Sequence, residues 1–341
     1  MAPTFDNESS LFNFVVRDGN GVKGIVDSGI SKVPQAYIQP HAEQIDKKSA
    51  SKCEIPPIDL SKLDGPDHDE VVNQIVRAAE TLGFFQVVNH GVPVQLLDSL
   101  KQTAHNFFSL PAERKAVYRK ENYISMAYTN DDEALQQWPI ECRDVALQFL
   151  KTSHEMVRNL LEALLGNLGE ELDDSKIDAF IGKKMVNMNF YPTCPNPELT
   201  VGVGRHSDMG TLTILLQDGI GGLYVKVPED VDMEKKGEWV EIPPIPGALV
   251  INVGDMLQIW SNGRYKSAEH RVRTTSTKSR VSIPIFTSPL PTQKVAPLPQ
   301  VVKKDGVARY REFVFSNYMN SFFGNAHDGK KSLEFAQINS N

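Results

Sequence analysis

From residue 185 onward the chain breaks into short apolar runs separated by Gly, Pro and Asn, and this rhythm restricts the second half to packed β-sheets. The runs fall at 185–191, 211–217, 223–227, 238–242, 248–253, 265–274 and 281–286. Many short strands at such spacing suit a β-sandwich or a barrel. Gly247-Ala-Leu-Val-Ile-Asn-Val-Gly254 is the clearest buried strand. Asp255 to Trp260 reads as a further short strand, closed by a hairpin turn at Ser261-Asn-Gly263.

The first half has a different period. Val72, Ile75, Val76 and Ala79 mark a helix from Asp67 to Leu82. A second helix runs from Pro93 to Leu110, and a long one from Pro139 to about Gly169 with an apolar stripe along it. Short strands are expected at Ile55–Leu60 and Gly83–Gly91. The first fifty residues are punctuated by Gly19, Gly21, Gly24, Pro34 and Pro40, so they read as irregular with short helical pieces. The tail from Tyr310 to Ala336 is amphipathic and helical, and is expected to cover the β core.

Composition excludes several classes. The net charge is -7 and no basic cluster reaches the scale of a nucleic-acid site. No apolar run approaches a membrane span, and the start carries neither a signal core nor a transit peptide. The cysteines at 53, 142 and 194 have no pairing pattern, which suits a reducing cytoplasm. A monomer is expected.

Chemistry concentrates in Val201 to Gln217. His206 and Asp208 are two apart, and in an extended segment such residues share a face. His270 is the best candidate for a third ligand. Two histidines and one carboxylate, with open positions, form the facial triad of non-haem Fe(II) oxygenases. A bare His-x-Asp is more readily a hydrogen-bonded pair at a strand end. Two further pairs at the same spacing raise the metal reading: Arg280 with Ser282, and Asn189 with Tyr191. Buried polar groups need partners, and a metal with a small dicarboxylic acid satisfies all of these together. Arg280 can grip a carboxylate with two parallel bonds. His90 has no second ligand nearby and reads as a fold residue; His154 is expected to face solvent. Phe286 lies four residues beyond Ser282, on the same face. Phe286, Phe190 and Tyr128 are candidate pocket walls. A zinc hydrolase can also use two His and one Asp, but nothing here nominates its general base, and Arg280–Ser282 would be left without a role.

His206-Ser-Asp208, His270, Arg280-Val-Ser282 and Asn189-Phe-Tyr191 together resemble the signature of the plant Fe(II)- and 2-oxoglutarate-dependent dioxygenases. Asn196-Pro-Glu-Leu-Thr-Val-Gly-Val-Gly204 and Gly221-Gly-Leu-Tyr-Val225 are similar to the family's flanking text. Phe12 to Gly24 and Ala326 to Lys331 are similar to its coumarin-forming members. The resemblance implies a mainly β fold with flanking helices: a double-stranded β-helix (jelly roll) core behind an α-rich N-terminal region. It divides the chain into an arm at 1–50, an N-terminal α/β region at 51–175, the core at 180–290 and a helical segment at 291–341. It implies Fe(II) on His206, Asp208 and His270. It implies 2-oxoglutarate held by Arg280, Ser282 and Tyr191 with Asn189 near the iron, and ascorbate as reductant in vitro. A small aromatic substrate and O2 complete the reaction. The implied substrate is a coumarin such as scopoletin, hydroxylated at position 8 to fraxetin, with ortho-hydroxylation of feruloyl-CoA as the alternative. One stretch departs from the pattern. Relatives carry roughly thirty residues between a helix like Leu110–Arg119 and the Tyr-Ile-Ser text, a loose spacing estimate. Here Lys120-Glu-Asn122 joins Tyr123 almost directly. The segment belongs to the substrate wall and the main sheet, so its loss is expected to expose strand edges and impair turnover.

Overall fold

The structure is a computed structural model describing all residues except 1–4, 6–7, 45–50, 54, 116, 121–122, 175, 232, 234, 325–330 and 339–341. An arm opens the chain with α1 (Glu8–Phe12), a single π-turn at Asn13–Arg17 and α2 (Gly21–Asp27). Leu11, Val15 and Ile25 give this arm its own small core. Three strands alternate with two helices next: β1 (Ser51–Lys52), β2 (Ile58–Asp59), α3 (His68–Glu80), β3 (Phe84–Val88) and α4 (Val94–Ser109). A short helix α5 (Ala112–Lys115) leads to β4 (Arg119–Lys120) and β5 (Tyr123–Tyr128). Three helices follow: α6 (Asp131–Gln137), the long α7 (Arg143–Asn167) and α8 (Ile177–Ile181).

The β-rich half then supplies β6 (Lys183–Tyr191), β7 (Val203–His206), β8 (Leu212–Gln217), β9 (Leu223–Lys226), β10 (Trp239–Glu241) and β11 (Leu249–Val253). After α9 (Asp255–Trp260) come β12 (His270–Val272), β13 (Arg280–Ser288) and β14 (Lys294–Val295). The chain closes with α10 (Pro299–Asp305), β15 (Phe313–Val314), α11 (Phe315–Gly324) and α12 (Lys331–Glu334). The expected tail helix is thus interrupted: a strand precedes it, and residues 325–330 of that stretch, including most of Ala326–Lys331, lie outside the described residues.

The strands form two large sheets. One has five strands in the order β1-β10-β9-β12-β7; the other has eight, β2-β3-β11-β8-β13-β6-β5-β4. Among the described residues neither closes into a barrel, so the architecture is a mixed α/β one with two large sheets and helices flanking the larger. α7 packs against α3 and α4, and its Phe149, Leu160, Leu161, Leu164 and Leu165 are fully removed from solvent. The helix stops where Gly169 turns left-handed (φ 77°), letting Gly169 and Glu170 donate back to Gly166 and Leu165.

The stretch Asp255–Trp260 and the side chain of His154 also differ from the sequence reading. Asp255–Trp260 is a helix, not a strand. All six of its residues are buried, so it shows no amphipathic period to separate it from a buried strand. Its Asn262 and Gly263 take positive φ and end it, rather than forming a hairpin. His154 is not solvent-facing: it is half-buried, 3.3 Å from the Lys184 amine. His90 serves a turn, its Nε2 meeting the Gly247 carbonyl at 3.0 Å while Val92 N–H donates to Nδ1.

At the gap, β5 pairs with β6 through all six residues, from Tyr123↔Asn189 to Tyr128↔Lys184. On its other side, among the described residues, β5 meets only the two residues of β4. The Trp138 indole donates to the Ala127 carbonyl on that strand.

Because α7 fills the space behind the larger sheet, Leu161→Ala is expected to cost about 2–5 kcal/mol of stability. Chemical denaturation of the variant checks this, and an unchanged midpoint would deny α7 its place in the core.

Candidate active site

Strand register builds the site. β7 and β12 run antiparallel with His206 directly opposite His270, so two imidazoles from distant parts of the chain stand 4.2 Å apart, centre to centre. Asp208 follows His206 as the strand ends. His206 Nε2 and His270 Nε2 each lie 3.7 Å from the same oxygen, Asp208 Oδ1. One ligand atom from each of the three side chains falls within 4.8 Å of the others. The remaining ring nitrogens face backbone: His206 Nδ1 meets the Gly204 carbonyl at 2.8 Å, and His270 Nδ1 meets the Ala268 carbonyl at 3.2 Å. Each Nδ1 donates there, leaving Nε2 as the lone-pair donor that a metal needs.

The second oxygen of Asp208 is held from behind. Thr213 Oγ1 donates to Oδ2 at 2.6 Å and Asn252 Nδ2 at 2.8 Å. Thr213 and Asn252 are themselves cross-strand partners of β8 and β11. The sequence reading missed both; the signal was a polar residue within each largely apolar strand. Burial, with the neighbouring His270, lowers the His206 imidazole to about 4. Burial pushes the Asp208 carboxyl up, but the two histidines and the bonds from Thr213 and Asn252 outweigh it and hold the group below its ordinary value. Neutral imidazole beside ionised carboxylate is the protonation state that binds a divalent cation.

The other pairs meet by the same device. β13 lies against β6 with Arg280↔Tyr191 and Ser282↔Asn189 in register. Arg280 is 1% exposed, and its guanidinium sits 5.1 Å over the Tyr191 ring. Nη2 donates to Gln217 Oε1 at 2.9 Å, while Nε and Nη1 have no partner within the protein. Asn189 Nδ2 donates weakly to Ser282 Oγ at 3.4 Å. A buried cation with two unanswered donors is costly unless an anion meets it, so the residues fit a carboxylate-bearing cosubstrate as well as the metal.

Triad and Arg280 open into one cavity of about 810 Å³. Phe286 and Phe190 reach its lining; Phe190 also stacks on Phe108 at 5.2 Å, within the main core. Tyr128 does not line it. Its hydroxyl donates to Asp131 and its ring meets Trp138 beside α6. The far walls come from segments to which sequence reasoning gave no part in the cavity: Ile25, Val26 and Tyr37 of the arm, and Met319, Phe322 and Phe323 of α11. The arm is tied down by Gln39 N–H to the Leu199 carbonyl and by Glu43 with Arg205.

Two histidines and a carboxylate on one side of a metal-sized space, beside a buried arginine, define a mononuclear non-haem iron oxygenase centre. The chain belongs to the 2-oxoglutarate- and Fe(II)-dependent oxygenases: residues 182–289 match the 2OG-Fe(II) oxygenase superfamily, and residues 55–156 match the N-terminal region described as non-haem dioxygenase in morphine synthesis. It is 60% identical to scopoletin 8-hydroxylase of Arabidopsis thaliana, covering 99% of both chains. It is 44% identical to feruloyl CoA ortho-hydroxylase 1 of the same plant, over 99% of this chain and 100% of that one. The alignment with the first spans 362 positions against 341 residues here, so gaps open in this chain. Among solved structures, JOX2 in complex with 2OG, Fe and JA superposes with a TM-score of 0.78 at 29% identity, covering 94% of this chain and 98% of that one. The protein is therefore a 2-oxoglutarate-dependent dioxygenase with His206, Asp208 and His270 as its facial triad. Among the described residues no helix is long and apolar enough to cross a membrane.

The lowered His206 has a measurable consequence. Between the ordinary imidazole value of 6.5 and about 4, the unfolded chain binds a proton that the folded metal-free protein does not. Its contribution to stability is therefore present above about 6.5 and is lost as pH falls towards 4. Urea midpoints of the metal-free protein should fall across that window, and less so in His206→Gln; equal slopes in both would deny the burial of this imidazole.

Proposed function

We propose that this chain hydroxylates the aromatic ring of a small phenolic of the coumarin or phenylpropanoid type. The preferred reaction is 8-hydroxylation of scopoletin to fraxetin, with 2-oxoglutarate and O2 consumed. The carrying observation is the single cavity in which the triad, Arg280 with two unanswered donors, and an apolar far wall face one another. When bound, Fe(II) supplies the oxygen chemistry, coupling decarboxylation of 2-oxoglutarate to succinate and CO2 with hydroxylation.

The chain's own residues have distinct tasks. His206, Asp208 and His270 would hold the metal, each offering one ligand atom. Arg280 meets the distal carboxylate of 2-oxoglutarate, and its charge persists at any working pH. Ser282 and Tyr191 complete that end, and Asn189, which bonds Ser282, would assist there. Phe286 and Phe190, with the arm and α11, exclude water and flatten the space around a ring. Apolar walls favour a neutral bicyclic phenol over the charged phosphoadenosine diphosphate portion of a CoA thioester, so feruloyl-CoA is the secondary candidate. We read the two sheets as the halves of a double-stranded β-helix spanning 180–290, behind the 51–175 region and flanked by the 1–50 arm and the 291–341 segment. The working form is a cytoplasmic monomer, kept active in vitro by ascorbate.

A second reading has its own observation. Among the described residues β5 is backed on its outer side only by two-residue β4, and Tyr123 and Ser125 on β5 line the cavity. A substrate wall shortened there leaves metal and cosubstrate binding in place and loosens the seat of the ring. Such a form consumes 2-oxoglutarate without hydroxylating.

Anaerobic titration with Fe(II) and 2-oxoglutarate tests both. Wild type should show the weak visible charge-transfer band, and Arg280→Ala should need about tenfold more 2-oxoglutarate or worse, the equivalent of roughly 1.4 kcal/mol or above. Oxygen, ascorbate and scopoletin are then added. Fraxetin supports the preferred reaction; succinate without hydroxylated product supports the shortened wall. No band from folded wild type would sink the assignment.

A further inference from the structure

Asp255 has no part in the chemistry described so far, yet it touches every segment that carries the triad. Its residue is fully buried at the first turn of α9. Its backbone N–H donates to the carbonyl of Asp208 at 2.7 Å. The neighbouring N–H groups act alongside it, Gly254 on the Thr211 carbonyl and Met256 on that of Gly210. Three consecutive donors thus grip the loop that presents the metal carboxylate. The approach is close enough that a Cβ on Gly254 would fall 2.2 Å from the Gly210 carbonyl oxygen.

The carboxyl group reaches the other ligand. Ser267 Oγ donates to Oδ1 at 2.7 Å. The next residue, Ala268, supplies the carbonyl that faces His270 Nδ1. Ser267 N–H is fixed as well, to Gln258 Oε1 of the same α9. The second oxygen, Oδ2, accepts from the Tyr318 hydroxyl at 2.7 Å. Tyr318 is fully buried on α11, where its neighbours Met319 and Phe322 line the cavity. One residue therefore joins the Asp208 loop, the segment that aims His270, and the helix that walls the substrate space.

We propose that Asp255 is a positioning residue for the metal centre, setting the Asp208 loop against the His270 strand and locking both to α11 through Tyr318. It does not touch the metal. Its effect arises because a ligand set binds well only when its side chains are pre-aimed, and buried hydrogen bonds to the supporting segments supply that aim. The inference rests on the triad described above.

The test uses the full chain and reads metal affinity, not turnover. Fe(II) is titrated anaerobically into wild type, Asp255→Asn and Tyr318→Phe, with the unfolding temperature of each metal-free protein measured in parallel. Asp255→Asn preserves shape but sets an amide N–H₂ against a hydroxyl that now donates. It should weaken Fe(II) binding by about 10–100-fold, the usual range for groups that orient metal ligands. Tyr318→Phe deletes one hydroxyl from a helix outside the triad segments, and so guards against a variant that fails to fold. It should weaken binding less than Asp255→Asn, but measurably, while keeping the native circular dichroism. Folded variants with lowered unfolding temperatures and wild-type Fe(II) affinity would overturn the proposal, leaving Asp255 a purely structural anchor. A wild type that binds no Fe(II) would instead fault the metal site itself, and the control separates the two.

Discussion

Everything in this molecule answers to one electrostatic demand. Two imidazoles and a carboxylate are crowded into a space a few ångströms wide and largely removed from water. Left to themselves such groups are expensive to bury, and a nearby second imidazole makes protonation of the first harder still. The protein meets this by keeping His206 neutral and Asp208 ionised, with Thr213 and Asn252 holding the carboxylate from behind. The arrangement is stable enough to fold around, and a divalent cation completes it.

Antiparallel register is how a linear chain achieves that crowding. The pairing of β7 with β12 sets His206 against His270, although sixty-odd residues separate them in sequence. The pairing of β6 with β13 sets Tyr191 against Arg280 and Asn189 against Ser282. Since a strand repeats every two residues, a one-residue slip in either ladder would turn all of these groups away from the cavity. The apolar residues between them, Val281, Ile283 and Ile285 on β13 for example, are driven to the opposite face and into the main core. Core burial therefore enforces the register that the chemistry requires.

This is also why the site was more legible in the sequence than parts of the fold. Period-two spacing is a direct property of extended backbone, so His206/Asp208, Arg280/Ser282 and Asn189/Tyr191 declared themselves as pairs. Strand and helix positions along the β-rich half and α7 followed from the same periodicities. α9 did not, because a six-residue helix with every side chain buried has no polar face to mark its turn. Thr213 and Asn252 were hidden for a related reason: a single polar residue in an apolar strand does not say which distant carboxylate it serves. The arm was the hardest case. Its Val22, Ile25 and Val26 sit in a short helix broken by glycines, and only tertiary packing brings them over the cavity. Tyr128 failed for the opposite reason, since an aromatic next to a strand end finds nearer company in Trp138.

The position of β5 at the rim of the larger sheet has a consequence for how such proteins diverge. The ladders that set Arg280 against Tyr191 and His206 against His270 lie inward of it, between β6 and β13, and in the other sheet. Residues gained or lost outside β5 alter neither of those ladders. A change of loop length at this margin can therefore alter the cavity contour at Tyr123 and Ser125 while the triad's ladder stays in place. For an engineer the same margin is the natural graft point, where a new recognition segment can be spliced in without redesigning the catalytic centre.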